Sequence, residues 1–231
     1  MTSVVALGGG HGLAAALRAV RRYAGAVTAV VSVADDGGSS GRLRREMGIP
    51  PPGDLRKCLV ALAEDESVWA PVMEHRFSGG DLDGHALGNL VIAGLTETLG
   101  DFGRAVDEVA ALLGVVGTVV PATTEPVVLK AEIDGTPVEG QVAVSRTPGR
   151  IRRVEIVPAD ARAPGHAVQA IVEADQVVLA PGSLFTSLIP VLCVADLRSA
   201  LAESTARIVQ VCNLASQHPE TDGLDDRLHR M

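Results

Sequence analysis

The sequence predicts an α/β fold: Rossmann-like, with a mainly parallel sheet, helices on both faces and an inserted antiparallel β ribbon. Three observations predict it. The apolar run Ser3-Val4-Val5-Ala6-Leu7 passes directly into Gly8-Gly9-Gly10-His11-Gly12 and then into a helical pattern. A second, β-branched run from Val27 to Val33 follows at the distance of one crossover helix. Between Val115 and Val157 the apolar spacing shortens from three or four residues to two.

Taken in order, Ser3 to Leu7 is a strand, Gly12 to Arg22 a helix, and Val27 to Val33 a buried parallel strand, which together make a βαβ opening. Pro50-Pro51-Pro52 introduces a helical region from Gly53 to Gly114, because a proline ring suits only the first turn of a helix. Within it Leu55, Leu59 and Leu62, then Leu87, Leu90, Leu95 and Leu99, then Val106, Val109 and Leu113 recur at helical steps. Four runs, Val115 to Val120, Val127 to Ile133, Val138 to Val144 and Ile151 to Val157, are expected to form the antiparallel ribbon. Asp134-Gly135 and Pro148-Gly149 supply its turns. The α/β rhythm then resumes with a helix from Gly165 to Glu173, a strand from Gln176 to Leu179 and a loop from Ala180 to Phe185. A helix to Val194, another from Asp196 to Glu203, and a strand from Ile208 to Val211 follow. Residues 1–214 are expected to form one Rossmann-like domain, with the ribbon at about 115–158. Residues 215–231 are expected to begin a C-terminal segment that is truncated or missing, since the chain stops before a helix can cover the last strand.

Composition narrows the function. With 47% hydrophobic residues in a chain of 231, a substantial core can form. Aromatic residues make up only 2% and the formal charge is −8, which argues against a stacking platform or basic face for nucleic acid. Cys58, Cys193 and Cys212 are odd in number and far apart, so they are expected to be reduced, mostly buried thiols outside any disulfide or zinc site. No basic leader with an apolar core opens the chain and no apolar run is long enough to span a bilayer, so membrane insertion is not expected and a cytoplasmic location is.

The glycine loop is the first functional candidate. Gly10-His11-Gly12-Leu13-Ala14-Ala15 reads as G-x-G-x-x-A, in which absent Cβ atoms let a pyrophosphate approach the amides of a helix N-terminus. A second glycine-rich block, Ala34-Asp35-Asp36-Gly37-Gly38-Ser39-Ser40-Gly41, ends the next strand on the same side of the sheet. Either aspartate alone reads equally as a turn with a helix cap. As a block they suit a ligand, and one carboxylate could hold Mg²⁺ on a diphosphate. Asp35 also stands about where a dehydrogenase keeps the acid for a ribose hydroxyl, but the following Gly-Gly-Ser-Ser run continues a phosphate-type loop instead.

Asp54, in the first turn of a helix, is either a cap or the partner of Asp36 in holding a metal or acting on a hydroxyl, so Asp36 and Asp54 are the catalytic and metal candidates. Of Arg56 and Lys57, which leave the helix in different directions, one at most is expected to reach a phosphate. His85 and Asn89 stand four residues apart, one helical turn, and place a polar face on an apolar helix; they read as a buried, satisfied pair or as contacts to base, ribose or phosphate. Pro181, Gly182, Ser183, Thr186 and Ser187 repeat the logic of strand, small-residue loop and helix. Neither a G-x-S-x-G elbow nor a G-x-x-x-x-G-K-[S/T] loop occurs. An open sheet edge or ribbon makes a homodimer an accompanying expectation.

Together, Ala6-Leu7-Gly8-Gly9-Gly10-His11-Gly12, Ala34 to Gly41, Pro51-Pro52-Gly53-Asp54-Leu55-Arg56, His85-Ala86-Leu87-Gly88-Asn89-Leu90 and Ala180 to Ser187 closely resemble the YvcK family, the gluconeogenesis factors. Gly140-Gln141, Asn213 and Glu220-Thr221 match as well, so the resemblance covers essentially the whole chain. More distantly the sequence is similar to CofD, the 2-phospho-L-lactate transferase of deazaflavin biosynthesis. The resemblance implies a CofD-like fold and a cytoplasmic protein that binds UDP-sugars such as UDP-N-acetylglucosamine and supports cell shape and cell-wall synthesis. It implies no firm cofactor or catalytic activity. A Mg²⁺-dependent phosphotransferase of the CofD kind is the alternative. The ligand-binding residues it implies are Gly8, Gly9, Gly10, His11, Gly12, Asp35, Asp36, Gly37, Gly38, Ser39, Ser40, Asp54, His85, Asn89 and the 181–187 loop. The family continues past the position of Met231, and part of its sugar contact surface lies there.

Overall fold

A computed structural model describes residues 1–215 and 217–219. β1 (Ser3–Gly8) lies at the centre of a five-stranded sheet in which every pairing is parallel. On one side it pairs with β2 (Ala26–Val31), which pairs in turn with β3 (Thr118–Pro121). On the other it pairs with β7 (Gln176–Leu179), and β8 (Arg207–Gln210) forms the edge beyond. The central strands are buried almost without a break, as they must be when helices cover both faces.

α1 (Gly10–Val20) makes the crossover from β1 to β2 and packs against α3 (Gly53–Leu62). Leu7, Leu13, Leu17, Leu55, Leu59 and Leu62 meet there with no exposed surface, and each such side chain contributes about 2 kcal/mol by leaving water. α4 (Trp69–Glu74), α5 (Leu87–Leu99) and α6 (Phe102–Leu113) complete the helical run before β3. Asp101 starts α6 by accepting from Arg104 N at 3.0 Å, and Gly114 ends it at φ +60°. α8 (Gly165–Val172) and α10 (Ala195–Glu203) pack together, with α9 (Ile189–Cys193) between them in the chain.

The structure corrects three expectations. Residues 34–41 are not all loop: α2 (Gly38–Met47) begins inside them, and its polar sequence buries only Leu43 among its large apolar residues, so no apolar stripe announces it. The segment at 118–121 belongs to the principal sheet, not to the ribbon, which is a three-stranded antiparallel sheet of β4 (Val128–Ile133), β5 (Thr136–Glu139) and β6 (Ile151–Val157) in the order β5-β4-β6. The strand expected over 138–144 stops at Glu139, and α7 (Gln141–Arg146) follows, because Gly140 turns at φ +99° and the Asp36 carboxylate takes the Val142 N–H at 2.9 Å.

Leu129, Ile133, Val144 and Ile151 form a separate small core with Ala34 and Phe185, which lie beyond the carboxyl ends of β2 and β7. The ribbon is thereby seated at the carboxyl end of the sheet. The cysteines are less buried than expected: Cys58 is buried, Cys193 half-buried and Cys212 exposed beyond β8. Among the described residues no single helix is long and apolar enough to cross a membrane. The segment 215–231 falls almost wholly outside the described residues.

Candidate functional site

From β1 the chain works outward through β2 and β3, whereas from β7 it works the other way to β8. The loops that follow β1 and β7 therefore part at a topological switch point, where open α/β sheets leave a crevice. These loops touch. A Cβ on Gly12 would stand 1.8 Å from the carbonyl oxygen of Pro181, and one on Gly8 would stand 3.1 Å from Ala180 Cβ. Asn213, just past β8, fixes the far loop by accepting from Gly182 N at 2.9 Å and donating to Gly182 O at 2.7 Å.

Four segments converge on Gly9. A Cβ there would lie 2.8 Å from Asp54 Oδ2, 3.3 Å from Ser32 Cβ and 3.6 Å from Ser187 Cβ. Gly9 is also the N-cap of α1, and Gly37 is the N-cap of α2; neither offers a side chain to the first turn, and neither first turn carries an acid. Two helices thus start uncapped at the carboxyl ends of adjacent parallel strands, with amides and positive dipole ends left for an anion. His11 lies exposed in the first turn of α1.

The carboxylates are distributed differently from the expected pairing. Asp36 Oδ1 caps α7 through Val142 N, and Gly140 has no room for a Cβ beside Asp36 Oδ2. Asp35 stands in the field of Asp54. Burial, and next the Asp54 charge, push the Asp35 carboxyl above the ordinary range, while the Gly37 N–H, Lys57 and Ser40 oppose that rise. Asp54 Oδ1 accepts from Lys57 Nζ at 3.1 Å, so Lys57 is the cation that joins this group. Asp35 and Asp54 offer the one or two carboxylates that Mg²⁺ takes when a diphosphate completes its shell. Among the described residues no three His, Cys, Asp or Glu side chains gather to hold a metal by themselves.

Ser40 Oγ accepts from Gly53 N at 3.1 Å and ties the start of α3 to that of α2. His85 and Asn89 do not share a helical face, since α5 begins at Leu87 and only Asn89 lies in it. The structure nevertheless brings both to Ser39: its Oγ is 3.0 Å from His85 Nδ1 and accepts from Asn89 Nδ2 at 3.0 Å. The direction of the Ser39–His85 bond follows from which ring nitrogen carries the proton, since the hydroxyl can accept from Asn89 and still either donate to Nδ1 or accept from it. Burial, and then Arg42, hold the His85 pKa below its ordinary value. Arg56 is buried and donates to Asn89 Oδ1 at 2.9 Å, so it is Lys57 that reaches the acidic group. Ser183 caps the π-helical turn Leu184–Leu188 by accepting from Thr186 N at 2.9 Å, and Ser187 faces Gly9.

Ser32 completes the site beyond the residues singled out in sequence, and the structure adds the contacts of Lys57 with Asp54 and of Asn213 with Gly182. The signal for Ser32 is a small polar residue directly after a buried strand, whereas Asn213 follows the exposed edge strand β8 after Val211 and Cys212. Lys57 carries another, three residues after an acid on a helix.

The family model described as 2-phospho-L-lactate transferase CofD matches residues 4–230. A putative gluconeogenesis factor of Mycobacterium leprae is 49% identical over 239 residues, covering 98% of this chain and 67% of its own length. A gluconeogenesis factor of Halalkalibacterium halodurans is 46% identical over 223 residues, covering 96% of this chain and 69% of its own. A crystal structure of a Bacillus halodurans member of the upf0052 family superposes with a TM-score of 0.95 at 44% identity, over 99% of this chain and 74% of that one. The chain thus spans between two thirds and three quarters of the length of these proteins.

Proposed function

Since the chain belongs to the CofD family and, within it, to the gluconeogenesis factors, we propose that it is a cytoplasmic nucleotide-binding regulator whose ligand is a UDP-sugar of the UDP-N-acetylglucosamine type. Its role in this reading is to tie cell-wall precursor supply and cell shape to carbon metabolism. The observation that carries the reading is the convergence at Gly9 of the glycine loop, Ser32, Asp54 and Ser187. A diphosphate laid across this point meets side-chain-free backbone and two uncapped helix starts. The acid and base beside it, Asp54 and Lys57, are paired with each other rather than with a serine or cysteine nucleophile. Calorimetric titration with UDP-N-acetylglucosamine tests the proposal. Saturable binding that UMP reproduces only weakly is expected; no heat at millimolar ligand overturns it.

A specific feature supports a second reading, a Mg²⁺-dependent phosphotransferase. Burial, and after it the Asp54 charge, raise the Asp35 pKa, and a divalent cation would relieve the repulsion between the two carboxylates. In this reading Asp35 and Asp54 would hold Mg²⁺, which would stabilise charge on a transferring phosphoryl group. Incubation with Mg²⁺, lactyl-diphosphoguanosine and the deazaflavin acceptor should then release GMP. A protein that binds UDP-sugar and releases none is a sensor, not a transferase of this type.

A further inference from the structure

A chain of buried polar groups runs behind the pocket, with no part in the contacts around Gly9. Arg56, Asn89, Ser39 and His85 are each no more than 6% exposed. Arg56 Nε donates to Asn89 Oδ1, Asn89 Nδ2 donates to Ser39 Oγ, and Ser39 meets His85. The other side of the guanidinium donates to Met73 O at 3.3 Å and pairs with Glu74. Room for Arg56 is made by the backbone: a Cβ on Gly88 would lie 2.7 Å from Arg56 Cδ and 2.8 Å from Met73 O. An apolar side chain would fill the same volume without the desolvation cost of a guanidinium, so packing alone does not account for the chain of bonds. It ends on Ser39, in the first turn of α2, whose amide end has no cap of its own. The adjacent Ser40 anchors the same turn to α3, so α2 is held from two sides by neighbouring hydroxyls.

We propose that Arg56 and Asn89 are positioning residues, acting through Ser39 to fix the first turn of α2 as the second anion-facing wall of the pocket. The consequence for affinity rests on the ligand reading above; the fixing of α2 does not. Asn89→Asp keeps an acceptor for Arg56 and removes the donor to Ser39. Ser39→Ala removes the junction with the smallest change in volume. Amide hydrogen exchange and titration with UDP-N-acetylglucosamine are measured on the full chain and on each variant. Expected are exchange at residues 41–44, whose amides bond back onto the first turn, about tenfold faster, with protection in β1 and β4 retained, and affinity lowered about tenfold, the scale of one buried hydrogen bond. Unchanged exchange at 41–44 in both variants overturns the proposal. So does a uniform loss of protection throughout the fold, which would make the relay a general stability element. If the unaltered protein does not bind the nucleotide, the ligand reading fails while the exchange pattern still decides the relay.

Discussion

A methyl group at position 12 would stand 1.8 Å from Pro181 O, well inside contact distance and against backbone that cannot swing aside. Gly12→Ala is therefore expected to cost about 2 kcal/mol or more in urea denaturation, by forcing the loops after β1 and β7 apart. A variant as stable as the parent would mean that these loops do not meet. His85 makes a prediction about pH. Its folded pKa lies below the ordinary value of 6.5, so the unfolded chain binds the proton more readily. Its contribution to stability is complete above that value and is lost as pH falls from 6.5 towards the lower folded value. Thermal melts should show that acid-side slope, and His85→Gln should flatten it. Sequence reading identified Gly12 and His85 as candidates by their neighbours. It could not tell that one touches a carbonyl and the other a hydroxyl, because both partners are distant in the chain.

Asp36 shows how a residue's role passes to an element. Its carboxylate accepts from Val142 N across 106 residues and so starts α7 in place of the expected strand. Asp36→Ala is expected to destabilise the protein by about 1 kcal/mol, the usual worth of an N-cap, and to raise hydrogen exchange in 141–146. Exchange there that does not change would separate Asp36 from the helix. The hairpin between β4 and β5 was legible, since Asp134-Gly135 adopts positive φ at both positions, +48° and +81°, as a two-residue turn requires. α2 was not: its helix is held by the two serines, Leu43 and a Gly48 stop at φ +68°, none of which makes an apolar period.

Across the whole molecule, burial falls off sharply from the centre of the sheet to the β8 edge. Val177 in β7 is fully buried, whereas Ile208, its register partner in β8, is 51% exposed. Val177→Ala should cost about 2 kcal/mol through lost transfer and cavity terms, and Ile208→Ala less than about 0.5 kcal/mol. Equal losses on denaturation would show that β8 is covered in solution. The same lateral order creates the switch point between β1 and β7, and with it the crevice that the four segments around Gly9 enclose.

The sequence by itself determined the α/β class, the glycine loop, the acidic and hydroxyl loops at strand ends, and the family. These are local: a strand that gives way to glycine and then to a helical period declares itself within a dozen residues. Only the tertiary structure decided that Asp35 stands in the field of Asp54 while Asp36 starts α7, that Lys57 rather than Arg56 bonds to Asp54, and that 118–121 completes the parallel sheet. Each of these depends on contacts between segments far apart in the chain, and side-chain direction there is set by what the other segment offers in charge, room and hydrogen bonds.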